Sequence, residues 1–345
     1  MTYQPKNILI TGGAGFIGSH FVRLLLSQPF VSCVVNLDKL TYAANLKNLD
    51  DVKEHEKYVF VEGDICDREK VDMLLKQYAI DTIVHFAAES HVDRSIEGPD
   101  AFIQTNIVGT FTLLDAAKKL WRDHHGWGES QCRFHHVSTD EVYGSLTKED
   151  PAFTETTPYS PRSPYSASKA SSDHLANAYF HTYGLPVTIS NCSNNYGPCQ
   201  HPEKLIPTII RSCVSRQPIP IYGDGSNIRD WLYVEDHCDA VLKIVQQGCL
   251  GETYNIGGNN EWSNLALAKQ IANEMDKRAP SSAPHEQLIT SVKDRAGHDW
   301  RYAIDSTKIM RHLGWEPDTD MQRGLARTLD FYLDPAIILK TVDVI

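Results

Sequence analysis

The sequence predicts an α/β fold: a doubly wound parallel sheet with a smaller C-terminal α/β lobe. Three observations carry this. Short apolar runs alternate with amphipathic stretches through the first 190 residues. A glycine-rich turn stands directly between the first apolar run and the first amphipathic stretch. Beyond residue 190 the alternation loosens into Pro- and Gly-rich connections: Tyr196-Gly197-Pro198, Gln217-Pro218-Ile219-Pro220 and Tyr222-Gly223-Asp224-Gly225. Strand-helix alternation is what parallel strands require, because each crossover must cover a face of the sheet.

Residues 7–11 (NILIT) read as the first buried strand, and residues 19–27 as a helix carrying Phe21, Val22, Leu24, Leu25 and Leu26. Residues 31–37, 58–62, 82–86, 134–138 and 186–190 read as further strands, with a helix over 69–78. Two helices are apolar on more than one face. Residues 101–121 carry Phe102, Ile103, Ile107, Val108, Phe111, Leu113, Leu114 and Leu120; residues 167–183 carry Leu175, Ala178, Tyr179 and Tyr183. A sheet-covering helix needs one apolar stripe, so the surplus reflects either a further packing partner or deep burial. Residues 1–190 are expected to form the main domain, with 228–258 returning to it. Residues 191–227 and 259–345 are expected to form the smaller lobe, at the strands' carboxyl ends. Residues 124–131 and 277–285 are the expected mobile loops.

Composition narrows the function. The 345 residues are 41% hydrophobic and 22% charged, ordinary for a globular protein that fills a core. A formal charge of −11 argues against a general nucleic-acid or anionic-membrane binder. Eight cysteines show no C-x-x-C pair and no zinc-site spacing, so no metal is expected. His124-His125 and His135-His136 are adjacent pairs, whose side chains diverge. No run approaches a membrane span, and no apolar leader precedes the first strand. A cytoplasmic protein with reduced thiols is the expectation.

Gly12, Gly15 and Gly18 form a Gly-x-x-Gly-x-x-Gly turn between strand and helix. Missing side chains let the backbone approach a pyrophosphate at the helix N-terminus, where free N–H groups and the dipole favour anions. This is the dinucleotide turn of a Rossmann fold. Asp38, ending the second strand, can accept from both adenine-ribose hydroxyls and repels a 2′-phosphate, so NAD is favoured over NADP. Asp64 and Ile65 follow the third strand, and Ala87, Ala88 and Ser90 the fourth, beside the cofactor path. Tyr165 and Lys169, the only Tyr-x-x-x-Lys, share a helix face. A tyrosine acting as a base near neutrality needs such an ammonium to stabilise its phenolate. Just upstream, Thr139, Asp140 and Glu141 place a hydroxyl and two acids after an apolar strand.

These residues resemble the extended short-chain dehydrogenase/reductase family that acts on nucleotide sugars, and within it the 4,6-dehydratases. The most specific stretches are Ser138-Thr-Asp-Glu-Val-Tyr-Gly144, Cys192-Ser-Asn-Asn-Tyr-Gly-Pro198, His201-Pro-Glu-Lys-Leu-Ile-Pro207 and Arg229-Asp-Trp-Leu-Tyr-Val-Glu-Asp236. The resemblance implies dehydration of dTDP-glucose: NAD-mediated oxidation at carbon 4, water elimination across carbons 5 and 6, and hydride return to carbon 6. Tyr165 and Thr139 would serve the oxidation. Glu141 would take the carbon 5 proton, and a protonated Asp140 would donate to the departing hydroxyl. Residue order does not say which acid holds the proton. Phe16, Ile17, Lys39, Leu40, Thr41, Thr105 and Asn195 would join the cofactor site.

On the substrate side, Arg229 and Arg295 are the leading diphosphate ligands, because guanidinium forks match phosphate oxygens. The resemblance adds His91, Asn194, Lys204, Leu205, Asn264, Asp294 and His298, with Pro220, Ile221 and Tyr222 along the base. It also implies a homodimer, joined as a four-helix bundle by 101–121 and 167–183. Ala296 departs from the family's proline. Cys192 and Cys199 read as fillers. A 4-epimerase, which needs no acid pair, another sugar nucleotide as substrate, and a catalytically silent NAD-binding scaffold are the competing readings.

Overall fold

The structure is a computed structural model that describes residues 2–294, 297–334 and 337. Its strands are β1 (Asn7–Thr11), β2 (Cys33–Asp38), β3 (Tyr58–Glu62), β4 (Thr82–His85), β5 (Arg133–Thr139) and β6 (Val187–Cys192). After these come β7 (Asn194–Tyr196), β8 (Ile219–Tyr222), β9 (Ile228–Tyr233), β10 (Thr253–Ile256), β11 (Glu261–Ser263) and β12 (Ile289–Val292). Seven of them form one sheet in the order β10-β6-β5-β4-β1-β2-β3, with every pairing parallel. Strand order reverses between β1 and β4. Outside their carboxyl ends the crossovers part and leave a crevice.

The helices are α1 (Phe16–Leu26), α2 (Arg68–Gln77), α3 (Val92–Glu97), α4 (Asp100–Phe102), α5 (Thr110–Ala117) and α6 (Pro164–Tyr183). The remainder are α7 (Leu205–Ser215), α8 (Val234–Gln247), α9 (Asn264–Arg278), α10 (Thr307–Leu313) and α11 (Met321–Tyr332). One face of the sheet is covered by α1 and α8 through Phe21, Val22, Leu25, Val241, Ile244 and Val245. On the other face, α2, α5 and α6 bury Val71, Leu74, Leu113, Leu114, Ala176 and Tyr179. Each burial removes apolar surface from water at about 25 cal/mol per Å², which holds the three layers together.

Several boundaries differ from the sequence reading, each for a local reason. The first helix starts at Phe16, because Gly15 is its N-cap and the glycine turn runs straight into it. The Tyr165 helix starts at Pro164, held by a capping box in which Ser163 and Ser166 satisfy each other's backbone N–H groups. The second strand begins at Cys33, the residue that pairs with Asn7 at the start of β1. The helical stretch 100–124 contains two wide turns, Ile103–Gly109 and Lys118–His124, flanking α5. It buries Leu113, Leu114 and Trp121 yet exposes Ile103, Val108 and Phe111, so deep burial explains only one of its apolar faces.

Within 228–258, β10 and α8 join the large sheet and its core, whereas β9 pairs with β7 and β11 in a separate three-stranded sheet. The strand β8 pairs with β12. These short strands pack with α7, α9 and α11 around Tyr196, Ile206, Ile210, Trp231, Leu267 and Leu325. The 277–285 stretch begins inside α9 and is pinned where His285, fully buried, meets Asp276 at 2.5 Å.

Candidate active site

A cleft of about 320 Å³ opens over the carboxyl ends of the central strands. Its floor is the glycine turn. Gly12 has φ +76°, and a Cβ there would sit 2.8 Å from the Ala87 backbone; one at Gly18 would sit 2.2 Å from Gly12 O. Glycine is therefore required at both positions. No side chain caps α1, which leaves its first amides pointed into the cleft as anion donors. The Asp38 carboxylate accepts from Ala14 N and Leu40 N, both at 2.9 Å, fixing it at the rim. Burial pushes its acidity down, and those two backbone N–H groups oppose the change. Lys39 pairs with Asp64 at 2.7 Å.

The cleft is lined by Gly12, Gly15, Phe16, Ile17, Gly18, Asp38, Lys39, Thr41, Asp64, Ile65, Ala87, Ala88, Ser90, Thr105, Tyr165, Lys169 and Asn195. Of the residues expected at the cofactor, only Leu40 is not part of the lining. At φ +54° it turns its side chain into the core and serves through its N–H on Asp38. Sequence reasoning gave no site role to Tyr42, Ser138, Ser193, His201 and Glu203 and read Cys192 as a filler, yet all six line the cleft. Cys192 had a signal: the β5–β6 register sets it opposite Thr139.

Thr139 ends β5, and Asp140–Tyr143 continues as a single 3-10 turn whose N-cap is Thr139. Tyr143 anchors the turn by donating to Asn255 Oδ1 at 2.8 Å. Gly144 closes it at φ +96°, where a Cβ would meet Ser160 O at 2.6 Å. The turn brings Thr139, Asp140 and Glu141 into the same cleft as Tyr165 and Lys169, which α6 presents from the facing wall.

Burial sets the protonation states. Asp140 is 2% exposed, and burial, then Glu141 and Asp230, raise its pKa well above the carboxyl range; Arg229 and the Thr139 hydroxyl oppose this. Burial thus favours the neutral form of Asp140. Tyr165 is also pushed well above its ordinary value, by burial and then by Glu141 and Cys192, with Thr139 opposing. Lys169 lies on the same face of α6, in the same cleft. Its Nζ donates to Val137 O at 2.9 Å, and burial lowers its pKa against the pull of Asp173.

Among the residues expected at the substrate, Thr139, Asn194 and Lys204 line the cleft, and Lys204 Nζ donates to Ser90 O at 3.2 Å. His91 caps α3 and lies 3.7 Å from Glu203. Leu205 and Ile221 pack in the core of the smaller lobe, so Ile221 can offer a ligand little but backbone. Pro220 and Tyr222 are exposed on β8, with Tyr222 edge-on to His298. His298 holds Asp294 at 2.7 Å. Arg229 lies over the Tyr302 ring and donates to the carbonyls of Ile228 and Asp299. Asn264 opens α9 with its side-chain carbonyl buried and without a hydrogen-bond partner among the described residues. Arg295 and Ala296 lie outside the described residues. His135 and His136 diverge as expected, toward Thr188 and Ser190 and toward Ser172.

Comparison with known proteins places this geometry in a family. The model of the GDP-mannose 4,6 dehydratase family matches residues 9–328. A dTDP-glucose 4,6-dehydratase from Neisseria gonorrhoeae is 55% identical over 337 residues, covering 96% of this chain and 97% of the relative. The crystal structure of a Bacillus anthracis dTDP-glucose 4,6-dehydratase in complex with NAD is 44% identical with a TM-score of 0.84, covering 96% and 97% of the two chains. A Thermotoga maritima UDP-glucose 4-epimerase solved with UDP-glucose has a TM-score of 0.82 at 28% identity, covering 97% and 99%. Fold alone therefore does not separate dehydratase from epimerase; the sequence identity does. The chain belongs to the extended short-chain dehydrogenase/reductase family and, within it, to the dTDP-glucose 4,6-dehydratases.

Proposed function

We infer that this protein is an NAD-dependent hydro-lyase that converts dTDP-glucose to dTDP-4-keto-6-deoxyglucose. The observation that carries the reading is Asp140, fully buried with its carboxyl pushed well above the ordinary range by that burial, beside Glu141 in the cleft that holds Tyr165 and Lys169. An epimerase has no use for a buried proton donor next to a carboxylate.

The chain fits NAD: without a Cβ at Gly12 or Gly18 the turn closes tightly on the Ala87 backbone and on Gly12 O, bringing the uncapped start of α1 to the cleft, and Asp38 favours a free 2′-hydroxyl. When bound, NAD supplies the acceptor for the carbon 4 hydrogen and later its donor to carbon 6. Tyr165 takes the proton of the 4-hydroxyl, which Thr139 orients by hydrogen bonding. The Lys169 charge favours the phenolate that Tyr165 must become. A ketone at carbon 4 acidifies carbon 5, and Glu141 removes that proton and returns one to carbon 5 when carbon 6 is reduced. Asp140 gives its proton to the 6-hydroxyl, which leaves as water. Burial of Asp140 keeps solvent from its proton.

The substrate assignments are part of the proposal: Arg229, Arg295, Lys204, Asn194, Asn264, His91, Leu205, Asp294 and His298 around the nucleotide sugar, and residues 220–222 along the base. So is the division of the chain, with 1–190 serving NAD and the smaller lobe serving the sugar nucleotide. A homodimer completes it, joined by 101–121 and 167–183, whose exposed Ile103, Val108, Phe111 and Tyr183 need a cover. A cytoplasmic setting suits eight free cysteines, and no helix among the described residues is long and apolar enough to cross a membrane.

Product identification by NMR, from a panel of sugar nucleotides with NAD, tests the reading. A 4-keto-6-deoxy sugar from dTDP-glucose is expected. An epimerised sugar, or reaction only with UDP- or GDP-sugars, would overturn it.

A further inference from the structure

Behind the reacting side chains, one helical turn beyond Lys169, lies a carboxylate that the mechanism does not use. Asp173 on α6 is fully buried. Its Oδ2 accepts from Ser138 Oγ at 2.9 Å and Tyr159 Oη at 3.0 Å, and its Oδ1 lies 3.1 Å from His136 Nε2. An ionised carboxyl is expensive in such a place unless a cation shares it. His136 is not that cation, because burial and Lys169 hold it neutral. The buried cation nearest in sequence is Lys169, one turn back on the same helix face. Its Nζ donates to Val137 O, next to the Ser138 that Asp173 holds, and it acts on Asp173 through the low-dielectric interior without a direct ion pair among the described residues.

We propose that Asp173 is a positioning residue of this reaction. Its carboxylate keeps the buried Lys169 ammonium charged and, through Ser138, tethers the strand end that carries Thr139. The proposal rests on the dehydratase reading for the role of Lys169.

The two groups support each other electrostatically. Asp173 is the first influence opposing the loss of the Lys169 proton to burial, and Lys169 is the first opposing the rise of the Asp173 carboxyl, which reaches about 6. Other titratable and polar groups also face the pair. From β4 comes His85, which burial holds neutral, from β5 His136 and Ser138, from β6 Cys192, from α6 His174, and from the neighbouring turns Tyr159 and Tyr143. Cys192 keeps its proton up to about 12, and Tyr143 and Tyr159 are raised further by burial. Asp173 is thus the one carboxylate among the named influences on Lys169. Asn191 donates to both Tyr143 and Tyr159, extending the tether to β6.

The test is Asp173→Asn, which keeps an acceptor for Ser138 and Tyr159 and removes only the charge. Oxidation at carbon 4 is followed as reduced cofactor across pH, with whichever sugar nucleotide of a panel the wild type oxidises. Below the pH of about 6 at which Asp173 titrates, both enzymes carry a neutral group, and their rates converge. Above it, only the wild type keeps the counter-charge. The ratio of wild type to variant climbs to about tenfold by about pH 8, and the variant's alkaline limb moves to lower pH. A ratio constant with pH, the mark of a structural defect, overturns the proposal. If the Asn variant does not fold, Tyr159→Phe decides: losing one donor raises the Asp173 carboxyl, so the acid limb must move up, and an unmoved limb refutes the inference. Wild type that oxidises another sugar nucleotide but not dTDP-glucose refutes the dehydratase assignment and leaves this comparison intact.

Discussion

Replacing Asp140 with Asn separates the two halves of the proposed reaction. The amide matches the protonated carboxyl in shape and charge, and Asp140 is 2% exposed with its pKa raised well above the ordinary range, so a neutral group already occupies the site. What the variant loses is a transferable proton. General acid catalysis contributes about 10²- to 10⁴-fold, or about 3–5 kcal/mol of barrier. Water elimination should slow by that factor, while Tyr165, Thr139 and Lys169 still oxidise carbon 4. In a single-turnover experiment the reduced cofactor should therefore accumulate and persist, where the wild type shows it only transiently. Tyr165→Phe is the control and should show no reduced cofactor.

Stability gives a second readout of the same residue. The folded pKa of Asp140 lies above its unfolded value, so its contribution is fully present below the unfolded pKa and lost as pH rises toward the folded one. Each tenfold increase in proton affinity on folding corresponds to about 1.4 kcal/mol. The Asn variant escapes this loss, so its Tm should gain on the wild type as pH rises from about 4 toward neutrality. Dehydration by Asp140→Asn at the wild-type rate would refute the assignment of the proton donor. A Tm difference independent of pH would refute its buried, protonated state.

Three further outcomes follow from the same geometry. Asp38→Asn leaves Ala14 N and Leu40 N without a charged acceptor and should weaken NAD binding roughly 10- to 100-fold, measured by calorimetric titration; undiminished affinity would remove Asp38 from the cofactor site. Gly12→Ala forces φ +76° on a residue with a Cβ, 2.8 Å from the Ala87 backbone. It should cost at least about 1–3 kcal/mol in thermal unfolding and abolish NAD binding. Phe111→Glu puts a charge on the exposed apolar face of α5 and should convert a particle of twice 38.8 kDa into one of 38.8 kDa by light scattering; wild type already at the smaller mass would sink the dimer proposal.

Much of this molecule was legible in order along the chain. Strands such as NILIT and TIVHF announce themselves because parallel strands, buried on both faces, are continuous apolar runs. The glycine turn was legible because close backbone approach leaves no substitute for glycine, and the Tyr-x-x-x-Lys pair because 3.6 residues per turn make it share a face. Boundaries were less so. Pro164 opens α6 because Ser163 and Ser166 cap each other, a hydrogen-bonding fact that apolar periodicity does not register.

What the sequence could not say is which charges are buried beside which. Asp140 and Glu141 are adjacent acids wherever they occur, and only the 3-10 turn after β5 sends the first into the interior and leaves the second half-buried in the cleft. Lys169 was expected beside Tyr165 as a charge, and the fold also gives its ammonium the Val137 carbonyl as a partner and buries it one turn from Asp173. Arg229 was expected at a diphosphate, and its guanidinium also braces the carbonyls of Ile228 and Asp299. Residue types, order and helical spacing therefore determine the cofactor turn and the set of reacting groups. The tertiary structure decides the protonation of those groups, because desolvation depends on neighbours brought from distant strands and helices.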